Sequence, residues 1–327
     1  MSFPHHSSHD SDNDCCNCCE MIEERLKYAE NSYTRKSNRK MNRLPRYYIL
    51  PAFILKSNTG FIDSHCHLDF LFNRMKFVGT YADYRIKHKA TFPNNYRGCI
   101  AVFCKPSTFS KVPIWQKHLD QENVWGAFGC HPHHATAYND CIEESLKIAL
   151  TYPKVRALGE IGLDYSSRNK CPKEIQHRVL RRQLKIAFET RFRVVIHCRD
   201  ANKDCIDILR ELLPKDYVFH LHCFTDSWYW AQKWLKTFPN VFIGITNLVT
   251  YNSAKLTHEV AKKIPLNHLL LETDAPYFVP RKISKRIRWS HPGMAIHVAA
   301  QIASLRNITV EEVLYWTHKN TIIMYEL

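Results

Sequence analysis

Six residues of this 327-residue chain have the types and spacing of a cation site: His65, His67, Glu160, His197, His222 and Asp274. His65 and His67 stand two apart, and residues i and i+2 of a strand face the same side, so both imidazoles can turn toward one ion. Alone, such a pair is a weak signal, because an isolated histidine is more often simply packed. The joint pattern is harder to dismiss. Burying four imidazoles and two carboxylates without cations or ion pairs is costly. Two divalent ions sharing one carboxylate would neutralise and ligate all six, and the mixed donor set accepts Mg, Mn or Zn.

Such a site needs a frame that brings distant segments to one rim. From residue 60 onward the chain repeats a short apolar run, a polar turn and a helix-like stretch. The runs are Phe61–His67, Gly98–Cys104, Val124–Cys130, Val155–Ile161, Val194–Cys198, Tyr217–His222, Val241–Thr246 and His268–Asp274. Near-continuous apolar runs at this spacing suit strands of a parallel sheet buried on both faces. Between the fourth and fifth, Leu180, Leu184, Ala187 and Phe188 mark the apolar stripe of an amphipathic helix. Eight βα units of this size predict an α/β fold, a (β/α)8 TIM barrel. An open doubly wound sheet usually has fewer strands and a Gly-rich first turn, which is absent here. In a barrel the six residues fall at the C-terminal ends of five strands, where barrel active sites lie.

The segments Asp63-Ser64-His65-Cys66-His67-Leu68-Asp69, Gly129-Cys130-His131-Pro132, Gly159-Glu160-Ile161-Gly162-Leu163-Asp164-Tyr165, His197-Cys198-Arg199, His222-Cys223-Phe224-Thr225 and Glu272-Thr273-Asp274-Ala275-Pro276 follow in order. Together they resemble the signatures of the TatD family of metal-dependent nucleases, within the amidohydrolase-like superfamily. The resemblance covers residues 60–327, including the closing Asn320, and Ser290–His297 looks like the animal branch called TatD DNase domain containing 2. It implies a two-metal phosphodiesterase, a 3′→5′ exonuclease on single-stranded or frayed DNA or RNA. His65 and His67 would hold one ion, His197 and His222 the other, and Glu160 would bridge them. Asp274 would complete the first ion's shell and face the attacking water, His131 would contact the scissile phosphate, and Arg199 is a candidate phosphate ligand. Phosphodiester cleavage needs an activated water, charge neutralisation and help for the leaving alkoxide, which two ions supply; Asp274 would orient and deprotonate the nucleophile.

Two positions depart from the family pattern. Asp226 stands where relatives commonly have Gly, adding a carboxylate near the rim. The usual Arg-Asn-Glu-Pro element reads Trp289-Ser290-His291-Pro292, which makes His291 a replacement substrate contact. The loop after the eighth run also holds Arg281, Lys282, Lys285, Arg286 and Arg288. Such a run is ordinarily a solvated face, but here it leaves the expected rim, so Arg281 and Arg288 are read as phosphate contacts. Trp289, Tyr277 and Phe278 either stack on bases of a single-stranded end or pack the loop down.

Charge and cysteine usage bound the partners. The chain has 46 Lys+Arg against 31 Asp+Glu, net +15. Residues 1–50 hold eight bases and seven acids, leaving 38 and 24 in 51–327, so a net of +14 belongs to the body. That balance predicts a nucleic-acid partner bound without sequence preference, since no zinc-finger, helix-turn-helix or RRM signature is present. No apolar run is long enough for a membrane span. With no apolar signal peptide and thirteen scattered cysteines, a reduced, monomeric, intracellular protein of nucleus or cytoplasm is expected. Residues 1–50 read as a disordered tail with a short helix around 21–29, and the barrel domain as 51–327. Cys15, Cys16, Cys18 and Cys19 are a flexible reduced segment, with metal binding or lipidation the alternative. The competing functional readings are a barrel hydrolase of a small amide, ester or phosphotriester, and a non-catalytic nucleic-acid-binding scaffold.

Overall fold

The computed structural model describes residues 58–327 apart from 282, 284 and 285. The tail with its expected helix, the cysteines at 15–19, Lys282 and Lys285 lie outside the described residues. Eight strands follow one another: β1 Phe61–Cys66, β2 Tyr96–Phe103, β3 Val124–Phe128, β4 Val155–Asp164, β5 Arg193–Arg199, β6 Phe219–Leu221, β7 Val241–Ile245 and β8 Leu269–Leu271. Each pairs in parallel with the next, in sequence order. The described helices are α1 Leu68–Met75, α2 Tyr81–Lys87, α3 Val112–Leu119, α4 Asp140–Leu150, α5 Lys173–Thr190, α6 Asn202–Leu212, α7 Trp228–Thr237, α8 Lys255–Lys263, α9 Ala295–Arg306 and α10 Val310–Tyr325. The architecture is a (β/α)8 barrel.

Strand alternation divides the core. Outward residues such as Phe61, Phe103, Phe128, Leu158, Ile196 and Phe219 pack under the helices. Ile100, Val102, Ala127, Ala157, Val195, Phe242 and Leu270 form a second cluster with Met324 and Tyr325 of α10. Asn320 ties α10 to the sheet by donating to the Leu266 and Leu269 carbonyls at 2.7 and 2.8 Å. On α5 the buried stripe is Val179, Leu180, Gln183, Leu184 and Ala187. Phe188 is 51% exposed and does not belong to it; at 100° per residue it sits about 100° past Ala187, off the core-facing arc.

The barrel closes just beyond its last strand. Asp274 N donates to His65 O at 2.9 Å, and His67 N donates to Ala275 O at 2.7 Å. Below them Asp63 accepts from Thr273 N at 2.8 Å and from Thr273 Oγ1 at 2.5 Å. The seam between first and last strands is therefore stitched at the end that carries the histidines.

Strand β4 breaks the alternation just before Glu160. Counting from the inward Ala157, strict period two would send Glu160 outward. The β4–β5 register slips between Gly159 and Ile161, with Gly159 opposite Val195 and Ile161 opposite Ile196, so β4 carries one extra residue. Such a bulge re-aims a side chain, and it turns Glu160 into the barrel. Gly159 permits it, because a Cβ there would lie 2.6 Å from the Val195 Cβ.

Candidate metal centre

His65, His67, Glu160, His197, His222 and Asp274 converge at the C-terminal rim, each less than a tenth exposed. Ligand atoms of His65, His67 and Glu160 lie within 4.8 Å of one another, as do those of His65, His222 and Asp274. The two oxygens of Glu160 divide the imidazoles. Oε2 faces His65 Nε2 at 3.6 Å and His67 Nε2 at 3.9 Å. Oε1 faces His197 Nδ1 at 2.7 Å and His222 Nε2 at 3.1 Å. Asp274 Oδ1 closes the first pair, 3.3 Å from His67 Nε2 and 3.9 Å from His65 Nε2.

Three of the four rings turn their other nitrogen to an acceptor. His67 Nδ1 is 2.9 Å from Val102 O, His197 Nε2 is 3.0 Å from Asp164 Oδ2, and His222 Nδ1 is 3.4 Å from Glu272 Oε2. An outer N–H hydrogen-bonded in this way, as on His67 and His197, leaves the inner nitrogen as a lone pair aimed at the centre and fixes the ring's orientation. His65 lies flat on His222, ring centroids 3.7 Å apart, and turns Nε2 inward like its neighbours. Its Nε2 is 3.3 Å from His67 Nε2. Two imidazole nitrogens bound at about 2.1 Å to one tetrahedral cation stand roughly 3.4 Å apart. The donor set therefore fits divalent cations.

The cluster's electrostatics agree. Burial alone would raise the Glu160 carboxyl, but His222, His131 and His197 hold it well below the usual carboxylate range. Burial also opposes charge on His197, yet Asp164 and Glu160 lift it to about 9. The proton between His197 Nδ1 and Glu160 is the one a cation would displace. Burial raises Asp274.

His131 is 9% exposed, with Nε2 3.6 Å from Glu160 Oε1. Its Nδ1 accepts from His133 N at 3.1 Å. In the neutral ring the proton is then on Nε2, which makes this a hydrogen-bond donor toward the cluster, and its ligand atom lies within 4.8 Å of those of Glu160 and His197. Arg199 is half-buried and donates to Thr225 Oγ1. Arg281 and Arg288 are exposed on the loop after β8; the Arg281 guanidinium lies 5.2 Å from the Tyr251 ring centroid.

Several expectations change. His291 is buried, accepts from Gly293 N at 3.1 Å, bonds Thr91 Oγ1 at 2.8 Å and stacks on Phe92. It is a packing residue and no substrate contact. Asp226 accepts from Asn202 Nδ2 at 2.7 Å and Ser227 N at 2.6 Å, so it organises the start of α7 instead of entering the cluster. Tyr277 and Phe278 are buried and pack the loop. Trp289 is half-buried under the Arg74 guanidinium, 4.7 Å from the ring centroid.

Asp164, Glu272, His133 and His220 were missed. Asp164 receives His197 Nε2 and, at 3.0 Å, His133 Nε2. Glu272 accepts from Cys223 N at 2.5 Å through Oε1, and its Oε2 stands 3.0 Å from His220 Nε2. Gly244 makes room for that pair, since a Cβ there would stand 2.4 Å from His220 Nε2. The signal available was the presence of Asp164 and Glu272 inside the motifs; alternation sets Glu272 inward with Leu270, but Asp164 shares the parity of Glu160 and turns inward only through the β4 slip. Outer partners of metal-binding histidines typically matter 10–100-fold for metal affinity. Asp164→Asn should thus weaken cation binding by about that factor in calorimetric titration, with the fold retained. Parental affinity would show that Asp164 does not orient His197.

Fold and cluster together define a barrel with a histidine–carboxylate cation centre at its C-terminal rim. Residues 62–326 match the family model TatD related DNase, and the chain belongs to that family. It is 41% identical over 285 residues to the human 3′-5′ RNA nuclease TATDN2, covering 87% of this chain but 37% of the human protein. It is 36% identical to the 3′-5′ ssDNA/RNA exonuclease TatD of Klebsiella pneumoniae over 185 residues, 56% of this chain and 69% of that one. The crystal structure of YJJV, a TatD homologue from Escherichia coli, superposes with a TM-score of 0.69 at 27% identity, over 82% of this chain and 98% of that one.

Proposed function

We propose that the protein is a two-metal nuclease that hydrolyses phosphodiester bonds of single-stranded or frayed DNA or RNA from the 3′ end. The observation that carries this reading is the split of the Glu160 carboxylate, with one oxygen toward His65 and His67 and the other toward His197 and His222. The printed activities of the human and Klebsiella relatives support it. His65, His67 and Asp274 would hold one cation, His197 and His222 a second, and Glu160 both. Bound there, two divalent cations of the Mg, Mn or Zn class would neutralise the phosphate oxygens, acidify the attacking water and stabilise the leaving alkoxide.

The chain's own groups supply the rest. His131 donates from Nε2 to a nonbridging phosphate oxygen. Asp274 accepts the proton of the attacking water at a carboxylate oxygen. Arg199, held by Thr225, adds positive charge for the strand's backbone. Arg281 and Arg288 extend that field along the loop after β8.

The test is a cleavage assay that crosses end-labelled ssDNA, dsDNA and RNA with Mg²⁺, Mn²⁺ and Zn²⁺. Products should shorten from the 3′ end, and EDTA should bring cleavage to background. Turnover of neutral esters or amides ahead of oligonucleotides, or cleavage that survives EDTA, would overturn the reading.

A further inference from the structure

On the outer wall of the barrel, away from the cation centre, a groove of about 590 Å3 is lined by Arg210, Lys215, Lys233 and Lys236 together with Leu213, Thr237 and Phe238. Four bases line it and no acid does. All four are exposed, and among the described residues none is ion-paired. Asp207 feels both Arg210 and Lys233, but its carboxylate is taken by Lys203 at 2.8 Å.

From the groove, one face of α7 leads back toward the rim. Tyr229, Lys233 and Lys236 fall within about 60° of one another at 100° per residue, so they share one helix face. Tyr229 is 62% exposed. The Lys233 ammonium stands 5.8 Å from the Tyr229 ring centroid and 5.0 Å from that of Trp230. The helix begins at Trp228, directly after the His222–Thr225 segment, and its ten residues run about 15 Å down the wall. An exposed aromatic and unpaired bases on one face, starting where a strand would leave the site, match the way single strands are held without sequence preference. A run of acidic side chains would use the bases but offers no aromatic ring to stack on Tyr229.

We propose that this face is a second nucleic-acid contact, a track for the part of a single strand that lies away from the cut. Phosphates would lie against Lys233, Lys236, Lys215 and Arg210, with a base on Tyr229. The proposal rests on the nuclease reading for the origin of the strand, but its test is a binding measurement that needs no cleavage.

Fluorescence anisotropy in EDTA would compare the full chain with Lys215→Glu/Lys233→Glu/Lys236→Glu, on strands of about 20 and about 4 nucleotides. Long-strand binding should weaken tenfold or more, and the slope of log K against log salt should fall by about 2, from three lost phosphate contacts at about 0.7 each. Binding of the short strand, and its cleavage with cations restored, should stay unchanged. The neutral triple Lys→Gln variant should show the same fall in slope with a smaller loss, and Tyr229→Ala alone about fivefold or more. Unaltered long-strand binding overturns the track, as does equal weakening on both lengths. A polyglutamate peptide that displaces the long strand only from the parent's groove, binding more tightly than it, reassigns the face to an acidic protein and overturns the proposal too. A binding difference without cleavage by the parent keeps the track and removes the nuclease reading; cleavage without the difference does the reverse.

Discussion

Glu160→Gln should reduce cleavage by about 10²–10³-fold with any divalent cation, as for loss of a central electrostatic element of a site. The side chain is 2% exposed and keeps its volume in the variant, so the barrel has nothing to repack. What is lost is charge and symmetry of the donors. Both carboxylate oxygens face imidazole nitrogens, whereas a glutamine must turn an NH2 toward one of the two pairs and close it to a cation. Stability should fall by no more than about 3 kcal/mol, the range for a buried polar group losing its partner. The histidines can shed protons instead of staying charged and unpaired, and His197 keeps Asp164 at 3.0 Å. Single-turnover cleavage with a parallel thermal melt reads both quantities. Cleavage within tenfold of the parent would show that Glu160 is not the shared ligand.

The frame was legible because each strand is a run of apolar residues long enough to be buried on both faces, and all eight runs are strands in the barrel. Placing the six polar residues at one rim followed from that, since they sit where the runs end. Two kinds of feature were not legible. Alternation carries no mark of an inserted residue, so it assigns Glu160 to the wrong face, and only the slip between Gly159 and Ile161 restores it. The roles of Asp164 and Glu272 depend on which nitrogen of His197 and His222 turns inward, a matter of side-chain rotation that residue types do not fix. The same limit explains His291. A histidine beside a basic loop reads as a substrate contact until packing shows both ring nitrogens used at Gly293 and Thr91. Aromatic residues near a rim are equally ambiguous, and burial assigns Tyr277 and Phe278 to the loop's own packing.

Asp274→Asn separates proton transfer from ligation. Asp274 follows β8 in the left-handed region, φ +55°, which Asp tolerates better than most residues, and Asn shares that tolerance. Its backbone N–H donates to His65 O and belongs to the barrel seam, which the substitution leaves alone. The amide oxygen of Asn can still stand where Oδ1 now lies, 3.3 Å from His67 Nε2. What Asn cannot do is accept a proton from water. General-base loss costs about 10²–10⁴ in rate, so kcat should fall by that factor while KM for the strand and the melting temperature stay close to parental values. Raising the cation concentration should not restore the rate, because occupancy is not what was lost. Recovery with excess cation would mean that Asp274 serves only to hold the metal, and the proton would then have to leave through another group. Asp274→Ala removes ligand and base together, and should add a requirement for more cation to the same loss of rate.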